Sequence, residues 1–338
     1  MKLIHGSRDR DRSTKTTFSA EGFVYSLLPD YGRFPAGYEH IMFPSGCCDR
    51  QNNLYLTSRD LEHPIVMLDA EGKYVKDFGK GLFTETHGIC VTPENTLLCV
   101  DTGLHVIREL TTDGDWIRDI GTLGCPSDSG FDPNIWRKMQ RRGDLVPTDV
   151  SFKDNTAWMF YEGLRSIRRA APPFNRPTDV CVAPNGDIYA SDGYGNAAVH
   201  RFSYDGLLQR TWGGPGEEPG RFIIPHSIWA DGRGRIWVGD REGNKVNVYS
   251  AEGELIACVC EGLYQPTDIF GDERYIYIAE RGGGLTILNM EMELVAQIGF
   301  YNSPLRTHGM CGDMEGNLYL MPLTTYDCHY LMKLVREH

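Results

Sequence analysis

PTDVCVAPNGDIYASDGYGNAAVHRFSYDGLLQRTW, residues 177–212, sets a template that the rest of the chain repeats. A short apolar run leads to Asn185-Gly186. A second run ends at Asp192, a third follows a glycine-rich loop, and a fourth follows Asp205-Gly206. Gly-containing dipeptides between alternating runs are hairpin signals, so the stretch reads as four antiparallel strands. Residues 225–259 (PHSIWADGRGRIWVGDREGNKVNVYSAEGELIACV) follow the same plan, with turns at Gly232 and Glu252-Gly253.

The template also fits residues 44–78, with turns at Asn52-Asn53 and Glu71-Gly72, and 87–120, with turns at Glu94-Asn95 and Asp113-Gly114. Residues 265–298 match more loosely. From His308 onward there are three strands, with a turn at Glu315-Gly316. The missing fourth is expected in residues 22–28. A borrowed strand closes a ring and removes the edge that a linear array would expose. Repeats roughly 40–50 residues apart indicate four-stranded blades. The expected fold is therefore all-β: a six-bladed propeller forming a single domain over residues 21–338, after a polar tail over 1–20.

The step from the second to the third repeat is about twice as long, which makes residues 122–176 an insertion, a candidate lid, with a short helix around 132–140. Pro147-Thr148-Asp149 echoes the repeat opening, so a degenerate seventh blade competes with this reading. Only about 30 residues then precede Pro177, too few for four strands and their turns. Six blades is the better count.

Composition narrows the function. A formal charge of −12 and 41% hydrophobic content describe a globular chain without the basic face of a nucleic-acid binder. No stretch has the length of a membrane-spanning helix, and residues 1–20 lack the apolar core of a signal peptide. Of ten cysteines, Cys47, Cys90, Cys99, Cys181, Cys258, Cys260 and Cys311 lie in apolar runs, with no CxxC pair. A reduced, cytoplasmic protein is expected.

Six triplets open the repeats: Pro44-Ser45-Gly46, Thr86-His87-Gly88, Pro177-Thr178-Asp179, Pro225-His226-Ser227, Pro266-Thr267-Asp268 and Thr307-His308-Gly309. Their middle residues ring the axis of a propeller, and histidine falls on alternate blades. His87, His226 and His308 then form a triangle around one point. Three neutral imidazoles with an open fourth position are the donor set of catalytic zinc. Histidine-only ligation also suits iron, nickel or copper. A single histidine at a strand start is ordinarily packing; three at equivalent positions are a metal site. His5, His40, His63, His105, His200, His329 and His338 share no such position and read as packing.

The loops between second and third strands belong on the same face as the triangle. They carry Arg59, Asp101, Asp192 with Tyr194, Asp240 with Arg241, and Glu280 with Arg281. The repeated acidic strand ends read as turn-capping groups. The insertion holds nine Lys/Arg against six Asp/Glu, an excess of positive charge on an acidic chain. No GxSxG elbow or P-loop is present.

The repeat resembles the NHL class of propeller. Thr86-His87-Gly88, Ser191-Asp192-Gly193-Tyr194-Gly195-Asn196, Pro225-His226-Ser227 and Asp240-Arg241-Glu242 resemble the peptidyl-α-hydroxyglycine α-amidating lyases, most strongly over residues 176–249. The resemblance implies zinc held by His87, His226 and His308, Tyr194 as base, and Arg59 as the active-site arginine. The implied outcome is C–N cleavage of a carbinolamide to an amide and an aldehyde acid. Three positions depart from that family's pattern. Arg306 stands where the family has methionine. Gly309 replaces a carboxylate that helps to bind structural calcium, which argues against calcium. Gly195 replaces a half-cystine.

With Arg306, Arg281 and Arg241 assigned to substrate binding, a small anionic substrate is expected, with no nucleic-acid or membrane partner. Two alternatives stand beside the lyase. One is a zinc-dependent hydrolase or hydratase of a small ester, lactone, amide or unsaturated acid, using metal-bound water. The other is a non-catalytic NHL propeller binding a protein or glycan.

Overall fold

The computed structural model describes residues 16–38, 41–142, 152–322 and 331–337. Six antiparallel sheets stand around one axis. Blade 3, the template, runs Pro177–Val182, Ile188–Asp192, Ala198–Phe202 and Leu208–Gly213, paired in that order. Its turns use Gly186 and Gly206, both at φ +86°, a conformation that a Cβ disfavours. Within a blade, burial falls from the inside outward. Ile188–Asp192 is buried throughout because neighbouring blades cover both its faces, whereas Leu208–Gly213 is half-exposed.

Blades 1, 2, 4 and 5 repeat the plan from Gly46, Thr86, Pro225 and Pro266. Blade 6 takes Gly309–Gly312, Leu318–Met321 and Met332–Arg336 from the end of the chain, and Phe23–Leu28 from its beginning. Tyr25 pairs with Arg336 and Leu27 with Leu334 across that seam. Residues 16–20, assigned to the polar tail, are instead the strand Thr16–Ala20, which pairs with Phe23–Leu28 as a fifth, outermost strand. The boundary moves because a hairpin at Glu21-Gly22, both at positive φ, lets the segment fold back over the blade's open edge.

Six apolar clusters fill the spaces between neighbouring blades, one to each pair. The cluster joining blade 6 to blade 1 packs Tyr319 and Met321 against Leu54, Leu56 and Val66. Each fully buried aliphatic side chain there contributes about 1.5–3 kcal/mol, so the seam is as well supported as any other interface.

Among its described residues the insertion holds two helices: α1 (Ile135–Arg142), near the predicted helix, and α2 (Phe152–Arg165), which the sequence reading missed. Pro147-Thr148-Asp149 lies outside the described residues. No helix among the described residues is long and apolar enough to cross a membrane.

Candidate metal centre and active site

One hydrogen bond recurs at the top of five blades. The amide just past the second strand donates to the carbonyl just before the first: Arg59 to Met42, Thr102 to Glu85, Tyr194 to Arg176, Arg241 to Ile224 and Arg281 to Gln265. Arg59, Arg241 and Arg281 thus hold equivalent places in blades 1, 4 and 5. The acidic strand ends brace the same loops. Asp101 accepts from the Thr84 and Glu85 amides, Asp192 from Asn175, Asp240 from Ile223 and Ile224, and Glu280 from Tyr264. These carboxylates fix the loops that carry the site.

His87, His226 and His308 meet on the axis, their ligand atoms all within 4.8 Å of one another. Each imidazole leans on the next blade. His87 Nδ1–H donates to the Thr178 carbonyl (2.6 Å), His226 Nδ1–H to Thr267 (2.7 Å) and His308 Nδ1–H to Pro44 (2.8 Å). Those bonds fix one tautomer at all three rings and leave every Nε2 as a bare acceptor. Yet His226 Nε2 and His308 Nε2 stand 3.2 Å apart. Two lone pairs facing at that distance repel unless a cation lies between them. The Tyr194 hydroxyl, 3.0 Å from His87 Nε2 and 2.8 Å from His226 Nε2, has one proton for two acceptors. This donor set fits a transition metal. The axial cavity it lines measures about 10 Å³, close to the space of one water-sized sphere.

Electrostatics agree. Burial depresses the His87 pKa well below the ordinary value, followed by the charges of His308 and Arg59. Burial, then Arg241, does the same at His226, and His308 falls to about 3 for the same two leading reasons. The three rings are therefore neutral, as ligation requires.

Tyr194 is 9% exposed and also accepts a hydrogen bond from Arg241 Nη1 at 3.2 Å. Gly193 and Gly195 flank it where no side chain fits: a Cβ would lie 2.3 Å from the Pro225 carbonyl and 2.3 Å from Asn175 Oδ1, respectively. Arg241 is buried and divided between Tyr194 and Glu242, to which its Nε donates at 2.9 Å. Its guanidinium is thus engaged with the phenol, whereas the sequence reading gave it to the substrate. Arg59 lies 3.5 Å from Glu85, and Arg281, half-exposed, 3.8 Å from Glu242. Both are near enough to depress the His308 imidazole. Arg306 is half-buried, two residues before His308. Gly309 packs against the Pro44 carbonyl, 2.3 Å from where a Cβ would be, so a carboxylate has no room at that position.

The other described histidines are held by packing partners: His63 by Tyr38 and Asp77, His105 by the Arg176 amide, His200 by Asp192 and Thr211. His5, His40, His329 and His338 lie outside the described residues. The nine described cysteines are free thiols, Cys125 and Cys260 among them exposed.

Sequence reasoning gave no role to Glu85, which pairs with Arg59, or to Glu242, which was quoted only within Asp240-Arg241-Glu242 and pairs with Arg241. It also missed Phe160 and Tyr161 of α2. Phe160 stands edge-on to Tyr194, with ring centroids 6.0 Å apart.

Comparison with known proteins agrees with this architecture. An NHL repeat model matches residues 174–202, the core of blade 3. The fold is a six-bladed NHL-type β-propeller. NHL repeat-containing protein 3 of Homo sapiens is 28% identical over 190 residues, covering 54% of this chain and 50% of that protein. Peptidyl-alpha-hydroxyglycine alpha-amidating lyase 1 of Drosophila melanogaster is 26% identical over 241 residues, covering 68% of this chain and 36% of that protein. The chain spans half or less of the length of the curated relatives it matches. Among solved structures, a gluconolactonase from Xanthomonas campestris superposes with a TM-score of 0.59 at 14% identity, over 96% of each chain. A streptogramin B lyase superposes at 0.57 and 14%, over 97% of this chain and 91% of that one. At such identities these two likenesses bear on fold alone.

Proposed function

We propose that this propeller is a metal-dependent lyase that cleaves the C–N bond of a small, hydroxylated, anionic N-acyl substrate. The observation that carries the reading is Tyr194. Its hydroxyl lies within 3.0 Å of two unprotonated imidazole nitrogens and accepts from Arg241. A general acid–base group is thereby set at the edge of a three-imidazole centre. The named amidating lyases among the relatives support the same reaction class.

His87, His226 and His308 would hold the metal, zinc being the ion best matched to three neutral imidazoles, and it would supply Lewis-acid polarisation of a substrate oxygen. Tyr194, acting as the phenolate held by Arg241, takes the proton of the carbinol hydroxyl and becomes the phenol. As the C–O bond becomes a carbonyl, the C–N electrons pass to nitrogen, and the same phenol returns the proton there. The products are an amide and an aldehyde acid, with no net uptake of water. Arg241 places a fixed positive charge beside the Tyr194 oxygen, which stabilises the phenolate that accepts and then returns the proton. Arg59, Arg281 and Arg306 hold the substrate's carboxylate. The free thiols and the lack of a membrane-spanning helix among the described residues are compatible with a cytoplasmic site of action.

The test is product analysis with N-benzoyl-α-hydroxyglycine. Benzamide and glyoxylate in equal amounts are expected. Benzoate as the acyl product would replace the lyase with a hydrolase, and an inert protein carrying no metal would leave a binding propeller.

A further inference from the structure

The chain on either side of the two insertion helices is tied to the loop that carries Tyr194. The Ser129 hydroxyl donates to the Gly195 carbonyl, and Asn196 exchanges hydrogen bonds with Ala171: its Nδ2 donates to the Ala171 carbonyl at 2.6 Å and its Oδ1 accepts from the Ala171 amide. Asn196 is held in turn by Asp192. Gly195 and Asn196 directly follow Tyr194, so Ser129 and Ala171 of the insertion are joined to the tyrosine loop. Leu164 and Ile167, both 6% exposed, enter the same apolar cluster as Tyr194 and Ile224, which seats the C-terminal half of α2 on blades 3 and 4. This is a fixed wall.

Two aromatic residues of that wall face the site. Phe160 meets Tyr194 at 70°, and Tyr161 packs on Phe160 with centroids 5.7 Å apart. The Tyr161 phenol lies within electrostatic reach of Glu242, Arg241 and Arg281. Phe160 and Tyr161 are only half-buried, so part of each ring remains available to a ligand. Among the described residues, the mouth also carries the charged Arg59, Arg281, Glu85 and Glu242. A substrate held by its carboxylate among the arginines can settle its other end against these two rings.

We propose that Phe160 and Tyr161 are specificity-determining residues, selecting N-acyl substrates whose acyl group is flat and apolar over those with a short acyl group. The assignment rests on the lyase reading for the N-acyl carboxylate class, but its test does not require turnover. N-benzoylglycine and N-acetylglycine share the amide and carboxylate, lack the hydroxyl, and differ only in the acyl group. Their dissociation constants for the metal-loaded protein are measured by calorimetry.

The wild type is expected to bind N-benzoylglycine about tenfold more tightly, the effect of an added aromatic contact with partial ring burial. Phe160→Ala should bring the two ligands within about twofold by weakening the benzoyl compound alone. Phe160→Leu keeps apolar bulk on α2 while removing the ring, and the same loss of preference is expected there. A ratio unchanged in both variants, no preference in the wild type, or no saturable binding of either compound overturns the proposal. Parallel assays with N-benzoyl-α-hydroxyglycine separate the two ideas. A Phe160-dependent binding preference without C–N cleavage sinks the lyase reading only. Cleavage without that preference sinks the specificity assignment only.

Discussion

Blades 2, 4 and 6 each bring an imidazole to the axis, whereas blades 1, 3 and 5 bring Ser45, Thr178 and Thr267. The second group is more than empty space around the first. The Thr178 and Thr267 carbonyls receive the Nδ1–H groups of His87 and His226, and Pro44, beside Ser45, receives that of His308. The Thr178 hydroxyl reaches the Pro225 carbonyl, and the Asp179 and Asp268 carboxylates accept from the amides of Ile228 and Met310 in the following blades. The even blades hold the ligand atoms, and the odd blades aim them. Three donors on three rigid sheets can be placed this well only if each sheet is registered against its neighbour.

Four perturbations would break or sharpen that division. The largest effect is expected on an odd blade, at the side chain whose hydroxyl reaches the Nε2 atoms of two imidazoles. Tyr194→Phe should retain metal and unfolding temperature and lose about 10³-fold in kcat, the scale of a general acid–base group. A variant within tenfold of wild type removes Tyr194 from the chemistry.

Next is the Asp pair beside the axis. Burial pushes Asp268 up to about 7, and burial together with the charge of Asp268 raises Asp179 well above the ordinary carboxylate value. An unfolded Asp titrates near 3.9. Between those values the folded chain keeps a proton that the unfolded chain releases. The stability contribution is therefore complete below pH ~4 and lost as pH rises through ~7. Replacing Asp268 by Asn should flatten the fall in unfolding free energy between pH 5 and pH 8, by one to a few kcal/mol. Parallel curves for variant and wild type would contradict the assignment.

Arg281→Ala addresses the rim. It should raise KM about tenfold for an anionic substrate and leave kcat within about twofold, since the guanidinium faces the carboxylate and not the breaking bond. An equal loss in kcat would move Arg281 into the transition state. The smallest effect belongs to Thr178→Val, which keeps the carbonyl that orients His87 and removes only the hydroxyl. About 1 kcal/mol of stability should be lost, with metal content unchanged. Loss of metal in this variant would show that the hydroxyl, and not the carbonyl, sets the ligand.

Much of this was legible before the structure. The triad could be read because its residues recur at a fixed place in a repeat, and the period alone turns that recurrence into convergence. Tyr194 could be read because its Ser191-Asp192-Gly193-Tyr194 context resembles that of the amidating lyases. The carbonyls that orient the imidazoles could not, since any residue supplies a carbonyl and the partner belongs to another blade. Helix α2 was hidden for another reason. Its sequence, FKDNTAWMFYEGLR, includes Asn155, Thr156 and Gly163, poor helix formers, and Phe160, Tyr161 and Leu164 are seated on residues of blades 3 and 4 far along the chain. Arg241 read as a substrate-binding arginine, because the Tyr194 phenol that engages it belongs to another blade.

The central claim concerns the even blades, and metal content tests it most directly. Purified protein analysed by inductively coupled plasma mass spectrometry should carry close to one transition-metal ion per chain. His226→Ala, with an unchanged circular dichroism spectrum, should carry less than about a tenth of that, since two remaining imidazoles form a much weaker site. A folded wild-type protein that takes up no transition metal after incubation with zinc, or a His226→Ala variant that retains a full equivalent, would contradict the account.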